Sequence, residues 1–429
     1  MVAGTLDEQG NQRTMTVATV SVIGLGYIGL PTAAVLARSG CNVIGVDINA
    51  DAVATINDGR IHIVEAGLSD VVADVVAAGR LRATTAPEPA DAFLIAVPTP
   101  FKEDHQPDLR FVKSACEAIA PVLRKGDTVI LESTSPVGAT EQMAQWIAAA
   151  RPDLSVPAGR SDEEVDIAIA YCPERVLPGN VLVELVRNDR VIGGMTPHCS
   201  TKAKAIYALF VEGECILTDA RTAEMCKLTE NSFRDVNIAF ANELSLICDR
   251  LGIDVWELVR LANHHPRVNI LQPGPGVGGH CIACDPWFIV SSAPEQAKII
   301  RTAREVNDGK PEWVIAKIES AITAFREAND VERQPLVACY GLAFKPNIDD
   351  LRDSPALSIA RRIAALGNCE LLVVEPNVDT LPRGLDGTQL VSPEDAGRAD
   401  IHVLLVDHDE FKRLREPDGV KIDTRGMGW

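Results

Sequence analysis

The chain has 429 residues, 46% of them hydrophobic, which is enough for two or three domains with buried cores. A net charge of −19 excludes the basic surface of a general nucleic-acid binder, although a few Arg and Lys gathered in one cleft can still hold an anionic ligand. The longest apolar runs, such as 93–97 and 402–406, fall far short of the ~20 residues of a membrane helix.

No signal peptide is visible, so the expected compartment is the cytoplasm, with no membrane partner. The eleven cysteines follow no regular framework and read mostly as reduced, buried small hydrophobes. Residues 1–18 read as a disordered leader, in which Met15 is an alternative start. From Thr19 a strand–turn–helix–strand rhythm begins: a strand over 20–24, a helix over 28–38 and a strand over 42–47. Further strands are predicted at 92–97, 128–132 and 166–171. Strands alternating with helices imply a parallel sheet covered on both faces.

Around Thr201 the pattern becomes helical, with helices predicted over 203–210, 222–251 and 255–261. The 222–251 helix is long and apolar-striped, and suits a homodimer interface. After a helix at 296–324, strands return at 336–340, 370–374 and 401–406. The expected fold is α/β: two Rossmann-like doubly wound domains joined by a central helical domain with a long helix. The predicted boundaries are 19–200, 201–325 and 326–429.

Gly24-Leu25-Gly26-Tyr27-Ile28-Gly29 fits G-x-G-x-x-G between a strand and a helix, where glycines allow close backbone approach and the helix N-terminus attracts a pyrophosphate. Asp47 ends the next strand, where a carboxylate can take both ribose hydroxyls and repel a 2′-phosphate. NAD is therefore the expected cofactor. Thr99, Thr134 and Thr140 follow later strand ends and are candidates to reach the cofactor or a catalytic water. Taken singly, each reads as a turn residue.

The stretch Gly274-Pro275-Gly276-Val277-Gly278-Gly279-His280-Cys281, followed by Asp285, brings backbone amides and a thiol together. Two rival readings exist. His280 with Cys281 and Cys284 resembles half a zinc site, but only His264 and His265 are near in sequence. Cys281 and Cys284 also have dithiol spacing, but the glycine loop and Pro286 do not clearly supply the helix start that such a pair wants. A single nucleophile at Cys281 is the preferred reading, with no metal. Lys227, Asn231 and Arg234 share one helix face, and by spacing alone that face could be merely solvated. Glu174 and Arg175 follow a strand end and are catalytic or substrate-binding candidates.

Together these pieces resemble the UDP-glucose/GDP-mannose dehydrogenase family from about Thr19 onward. The matching stretches are 24–29 with Asp47, 98–100, 133–138, 171–175, Lys227 with Asn231, 274–281 with Asp285, and 341–352. The resemblance implies oxidation of the C6 alcohol of a UDP-sugar to a carboxylate, with two NAD per product. Cys281 would capture the intermediate aldehyde as a thiohemiacetal and then carry a thioester. By the same resemblance Lys227 and Asn231 stabilise the alkoxide, Asp285 assists proton transfer, and Glu174 acts as acid/base or positions water, with Thr134 near by. NAD would meet Gly24, Gly26, Tyr27, Ile28, Gly29, Asp47, Thr99, Thr140 and Arg352. The UDP-sugar would meet Arg175, Val176, Lys227, Asn231, Arg234, His265, Arg267, Gly278, Phe344 and Lys345. The wording around Lys227 and in 266–271 makes UDP-N-acetyl-D-mannosamine the expected sugar, with UDP-glucose or another UDP-N-acetylhexosamine as alternatives. A two-electron hydroxyacid dehydrogenase would not need Cys281. A non-catalytic binding protein would not need Cys281, Lys227, Asn231 and Asp285 together. Cys284 stands where the family pattern has an aliphatic residue.

Overall fold

The architecture is that of a computed structural model, which describes residues 18–102, 105–159, 165–176, 179–279, 281–329 and 333–429. Apart from Ala18, the predicted leader and Met15 lie outside the described residues, as does His280. The chain divides into two units, the second beginning at Thr229.

The first unit is built on eight strands: β1 (Thr19–Ile23), β2 (Asn42–Val46), β3 (Leu81–Thr84), β4 (Ala92–Ile95), β5 (Thr128–Leu131), β6 (Ala168–Tyr171), β7 (Arg190–Gly194) and β8 (Cys215–Asp219). They lie in the order β3-β2-β1-β4-β5-β6-β7-β8, every neighbouring pair parallel except β6 with β7. The helices between them are α1 (Gly29–Arg38), α2 (Ala50–Asn57), α3 (Leu68–Ala77), α4 (Arg110–Ile119), α5 (Ala139–Ala150), α6 (Val181–Arg187) and α7 (Pro197–Tyr207). The strands are apolar along both faces because both are covered. Val20, Val22, Leu94 and Ile130 enter one core, whereas Ile23, Phe93, Ile95, Val129 and Leu131 enter the other. The order reverses between β1 and β4, so the loops after those strands flank the crevice where open α/β sheets take ligands.

The predicted boundary at residue 200 falls inside this unit. α7 and β8 complete the sheet, because β8 pairs with β7 over Cys215–Asp219. β8 is an edge strand with no fully buried residue, so its sequence lacks the apolar run that marks the inner strands.

The helical part runs through α8 (Ala220–Leu251), α9 (Val255–Ala262), α10 (Asp285–Ser292) and α11 (Lys298–Asn329). α8 and α11 match the long helices predicted at 222–251 and 296–324 to within a few residues. Within the second unit a buried polar network joins them. Arg304 donates to Asp235 at 2.6 Å, Asn307 to Asp235 at 2.8 Å, and Asn242 to Asn307 at 2.8 Å. Asn242 in turn accepts the Gly274 amide at 2.9 Å, which ties the start of the glycine loop to α8.

The second sheet comprises β9 (Leu336–Tyr340), β10 (Glu370–Val374), β11 (Gln389–Leu390), β12 (Ile401–Leu404) and β13 (Val420–Asp423), with α12 (Pro355–Leu366) and α13 (Pro393–Ala396). Its order, β11-β10-β9-β12-β13, is parallel throughout and reverses between β9 and β12. Alternate residues again separate into two cores, Val337 and Cys339 in one, Ala338 and Tyr340 in the other. No helix among the described residues is long and apolar enough to cross a membrane.

One buried group makes the first unit sensitive to pH. Tyr207 donates to Glu132 at 2.7 Å, while Arg190 pairs with Glu174 at 2.7 Å. Burial, reinforced by the nearby Glu174 charge, pushes the Glu132 carboxyl up to about 7. Between the ordinary carboxyl range and pH 7 the folded chain keeps a proton that the unfolded chain releases. The contribution is therefore fully present at low pH and lost as pH rises through that window. Relative to wild type, Glu132→Gln should gain stability, on the order of 3 kcal/mol, between pH 4.5 and 7.5 in denaturant titrations. Parallel stability curves for the two proteins would contradict the assignment.

Candidate active site

At the first crevice, the turn after β1 is shaped by exclusion. A Cβ at Gly29 would stand 1.8 Å from the Gly24 carbonyl oxygen, and one at Gly24 2.7 Å from the Ala96 carbonyl oxygen. Gly24 also has φ +91°, a left-handed conformation that favours glycine. Gly26 differs: a Cβ there would meet no protein atom within 4 Å, so its space is open toward a ligand. α1 starts just beyond, with Ile28 at its N-cap, no side-chain cap and no acidic residue in its first turn. That end carries the partial positive charge that favours a pyrophosphate. Asp47 accepts the Leu25 amide and the Asn49 amide, each at 2.9 Å. It is half-buried, and one protein bond per oxygen leaves lone pairs for ribose hydroxyls. These features fit a dinucleotide. Tyr27, beside them, is 47% exposed.

The threonines divide. Thr99 donates to the Thr134 carbonyl at 2.5 Å, which joins the loops after β4 and β5, and both residues are half-buried. Thr140 is a correction to the predicted cofactor contacts. It is fully buried and donates its hydroxyl and amide to Glu224 at 2.6 and 2.8 Å. Glu224 also accepts the Gly138 amide at 2.6 Å, so it caps α5 and Thr140 is part of that cap. Glu174 is nearly buried, with one oxygen on Arg190 and the other accepting the Arg175 amide at 2.7 Å. Here it is a brace in a charged cluster. Arg175 donates to the Asp189 carbonyl at 3.2 Å, and Val176 is half-buried beside it.

In the second unit, Asn231 donates to Asp285 at 2.5 Å, and both side chains are buried. Lys227 stands one turn before Asn231 on α8 and is half-buried, while Arg234 is exposed on the following turn. Asp285 opens α10. Its amide and that of Cys284 donate to the Cys281 carbonyl at 2.9 and 3.1 Å, so Cys281 begins the turn that leads into the helix. The helix start that the glycine loop and Pro286 do not clearly signal in the sequence is present as α10. Pro286 lies at the first turn, where its missing N–H costs nothing. Of the eleven cysteines, all within the described residues, Cys281 alone is exposed. Burial and the neighbouring Asp285 push the Cys284 thiol up to about 12. No cluster of three His, Cys, Asp or Glu suited to a metal exists among the described residues.

The glycine loop packs on the loop after β9. A Cβ at Gly278 would meet the Asp353 carbonyl at 2.5 Å and Phe344 at 2.9 Å, and one at Gly279 would touch the Phe344 ring at 3.0 Å. Gly278, Phe344 and the Cys281 turn are thus brought together, with Lys345 half-buried next to Phe344. Arg352 is held locally by Asp350 through three bonds of 2.6 to 3.1 Å. His265 accepts the Arg267 amide at 3.3 Å, and both residues are exposed. Sequence reasoning missed Glu375 and His408, which bind the loop after β9 from the segments that follow β10 and β12.

The open position at Gly26 is directly testable. Gly26→Ala should fold with an unchanged melting temperature but bind NADH at least tenfold more weakly in fluorescence titrations, whereas Gly29→Ala should fail to fold. Unaltered NADH affinity in Gly26→Ala would remove this turn from the cofactor site.

Models of the UDP-glucose/GDP-mannose dehydrogenase family match the chain in three parts: the NAD binding domain over 18–211, the central domain over 221–309 and the UDP binding domain over 338–427. A UDP-N-acetyl-D-mannosamine dehydrogenase of Yersinia pestis is 64% identical over 422 residues, 96% of this chain and 100% of the relative. An NDP-N-acetyl-D-galactosaminuronic acid dehydrogenase of Ralstonia nicotianae (strain ATCC BAA-1114 / GMI1000) is 63% identical over 413 residues, 95% of this chain and 96% of the relative. The solved structure of a UDP-D-ManNAc dehydrogenase from Pyrococcus horikoshii is similar with a TM-score of 0.84 and 38% identity, over 95% of this chain and 96% of that one. The chain belongs to the UDP-glucose/GDP-mannose dehydrogenase family of NAD-dependent oxidoreductases.

Proposed function

We propose that the chain oxidises C6 of UDP-N-acetyl-D-mannosamine from alcohol to carboxylate, with Cys281 as covalent nucleophile. The observation that carries the chemistry is Cys281 itself, the one exposed thiol of eleven, at the turn into α10 and beside the Asn231–Asp285 pair. The sugar is inferred from the 64% identical relative.

NAD supplies the hydride acceptor, and the turn 24–29 with Asp47 fits it. Lys227 and Asn231, one turn apart on α8, are donors suited to an alkoxide oxygen. The Cys281 thiolate adds to the aldehyde carbon and forms a C–S bond. Covalent capture holds an aldehyde that would otherwise escape and gives a thiohemiacetal, whose oxidation leaves a thioester. Water then adds to the thioester carbon and the thiolate departs. Asp285, held by Asn231, exchanges the protons of these steps. Phe344, Lys345 and Gly278 are proposed to meet the UDP-sugar, together with Arg175, Val176, Arg234, His265 and Arg267. Arg352 is proposed to meet NAD.

The functional unit is proposed to be a homodimer. Phe233, Phe240 and Ile247 recur every seven residues on α8 and are 69%, 53% and 44% exposed, with Leu251 at 64%. Such a stripe favours burial against a second copy. The cytoplasm is the proposed compartment, since eleven thiols without a pairing framework suit a reducing environment.

NADH formation should be fastest with UDP-N-acetyl-D-mannosamine, compared at equal concentration with UDP-N-acetyl-D-galactosamine and UDP-glucose, and should reach two NADH per acid. Faster turnover of the galactosamine sugar would favour the activity named for the Ralstonia relative, and one NADH per product would exclude the four-electron reaction. Cys281→Ser should lose acid production by several orders of magnitude while still binding NADH and UDP. Near-normal acid formation by that variant would rule out the covalent route. Phe240→Glu should shift the protein from dimer to monomer in light scattering, and an unchanged mass would remove α8 as the interface.

A further inference from the structure

The two sheets treat the carboxylate after their second strand differently. Asp47 follows β2 and Glu375 follows β10. Each accepts an amide from the turn after the first strand, Leu25 in one sheet and Leu342 at 2.7 Å in the other. Each also accepts the amide two residues on, from Asn49 or, at 3.1 Å, from Asn377. Asp47 stops there. Glu375 is 3% exposed and accepts further from the Ala343 amide at 3.0 Å, the Asn377 side chain at 3.1 Å and His408 Nε2 at 3.1 Å. Five donors on one carboxylate leave no acceptor for a ribose.

His408 completes the arrangement. Its ring is fully buried, and Nδ1 lies 2.9 Å from the Asn347 amide. An amide N–H only donates, so Nδ1 accepts and the ring proton sits on Nε2, facing Glu375. Asn347 has φ +62° and exchanges two further bonds of 2.9 Å with Asp409. The loop after β9 is therefore gripped at Leu342 and Ala343 by Glu375 and at Asn347 by His408. Phe344 and Lys345 lie between the grips. This loop and the one carrying His408 leave β9 and β12, the strands between which the order reverses.

We infer that Glu375 and His408 are positioning residues for the UDP subsite: they fix the backbone of 342–347 so that Phe344 and Lys345 are presented to the nucleotide. The inference rests on the reading of those two residues as UDP contacts. The full chain tests it with UDP in calorimetry, NADH in fluorescence titration, and KM and kcat for UDP-N-acetyl-D-mannosamine. His408→Gln keeps a donor toward Glu375 but offers no acceptor to the Asn347 amide. It should weaken UDP binding tenfold or more and raise KM more than it lowers kcat, with NADH affinity unchanged. His408→Asn restores an acceptor near the Nδ1 position and should recover most of the UDP affinity. A His408→Gln protein that binds UDP within twofold of wild type overturns the inference, as does one that loses NADH affinity equally. If His408→Gln does not fold, a His408→Asn protein that is folded yet shows no recovery beyond Glu375→Gln overturns it as well. A wild-type chain that does not bind UDP fails earlier, and removes the reading on which the inference stands.

Discussion

At Gly24 and Gly29 in the first sheet and at Gly341 in the second, the turn that leaves the first strand has no room for a side chain, and much of the functional apparatus follows from that. In the first sheet the Gly24 carbonyl fills the space where Gly29 would carry a Cβ. In the second, a Cβ at Gly341 would stand 2.3 Å from Val406. A turn this tight points its amides toward the carboxyl edge of the sheet, where a parallel arrangement gathers the ends of its strands. Buried amides need acceptors, and a carboxylate after the second strand supplies them in both sheets. In the first sheet the acceptor keeps capacity for a ligand, and in the second it is saturated by protein.

The helical part solves a related problem by burying charge. Asp235 and Arg304 are almost wholly buried, and burial raises the Asp235 carboxyl despite the guanidinium beside it. Removing Arg304 would leave the buried Asp235 charge uncompensated, a loss of about 3–5 kcal/mol for buried pairs of this kind, whereas Arg304 has a second partner in Asp308. The pair belongs to the network that ends on the Gly274 amide, so the glycine loop is anchored at its first residue. At its other end the loop rests on Phe344. A loop made of glycine for close approach is thus held at both ends rather than left to its own flexibility.

Much of this was legible in the chain. Short apolar strands alternating with helices and two long helical stretches are local signals that carried the α/β class, and the fingerprint at 24–29 is a local signal for a cofactor turn. The illegible parts each have a physical reason. β8 is an exposed edge strand, so it resembles a loop and the first unit seemed to end near residue 200. α10 was not clearly signalled because it is short and opens on Pro286 after a glycine loop, although a proline at a first turn is accommodated. Thr140 was misread because its partner, Glu224, lies 84 residues away. Glu375 and His408 escaped notice for the same reason, being brought together across 33 residues by the sheet order.

Burial of Cys284 has a consequence for chemical labelling. Its thiol is held near 12 and half covered, whereas Cys281 is the one cysteine open to solvent. A soft electrophile arriving from solvent should therefore meet Cys281 before Cys284, three residues away. Stoichiometric alkylation then counts the chains in a preparation that present the Cys281 thiol.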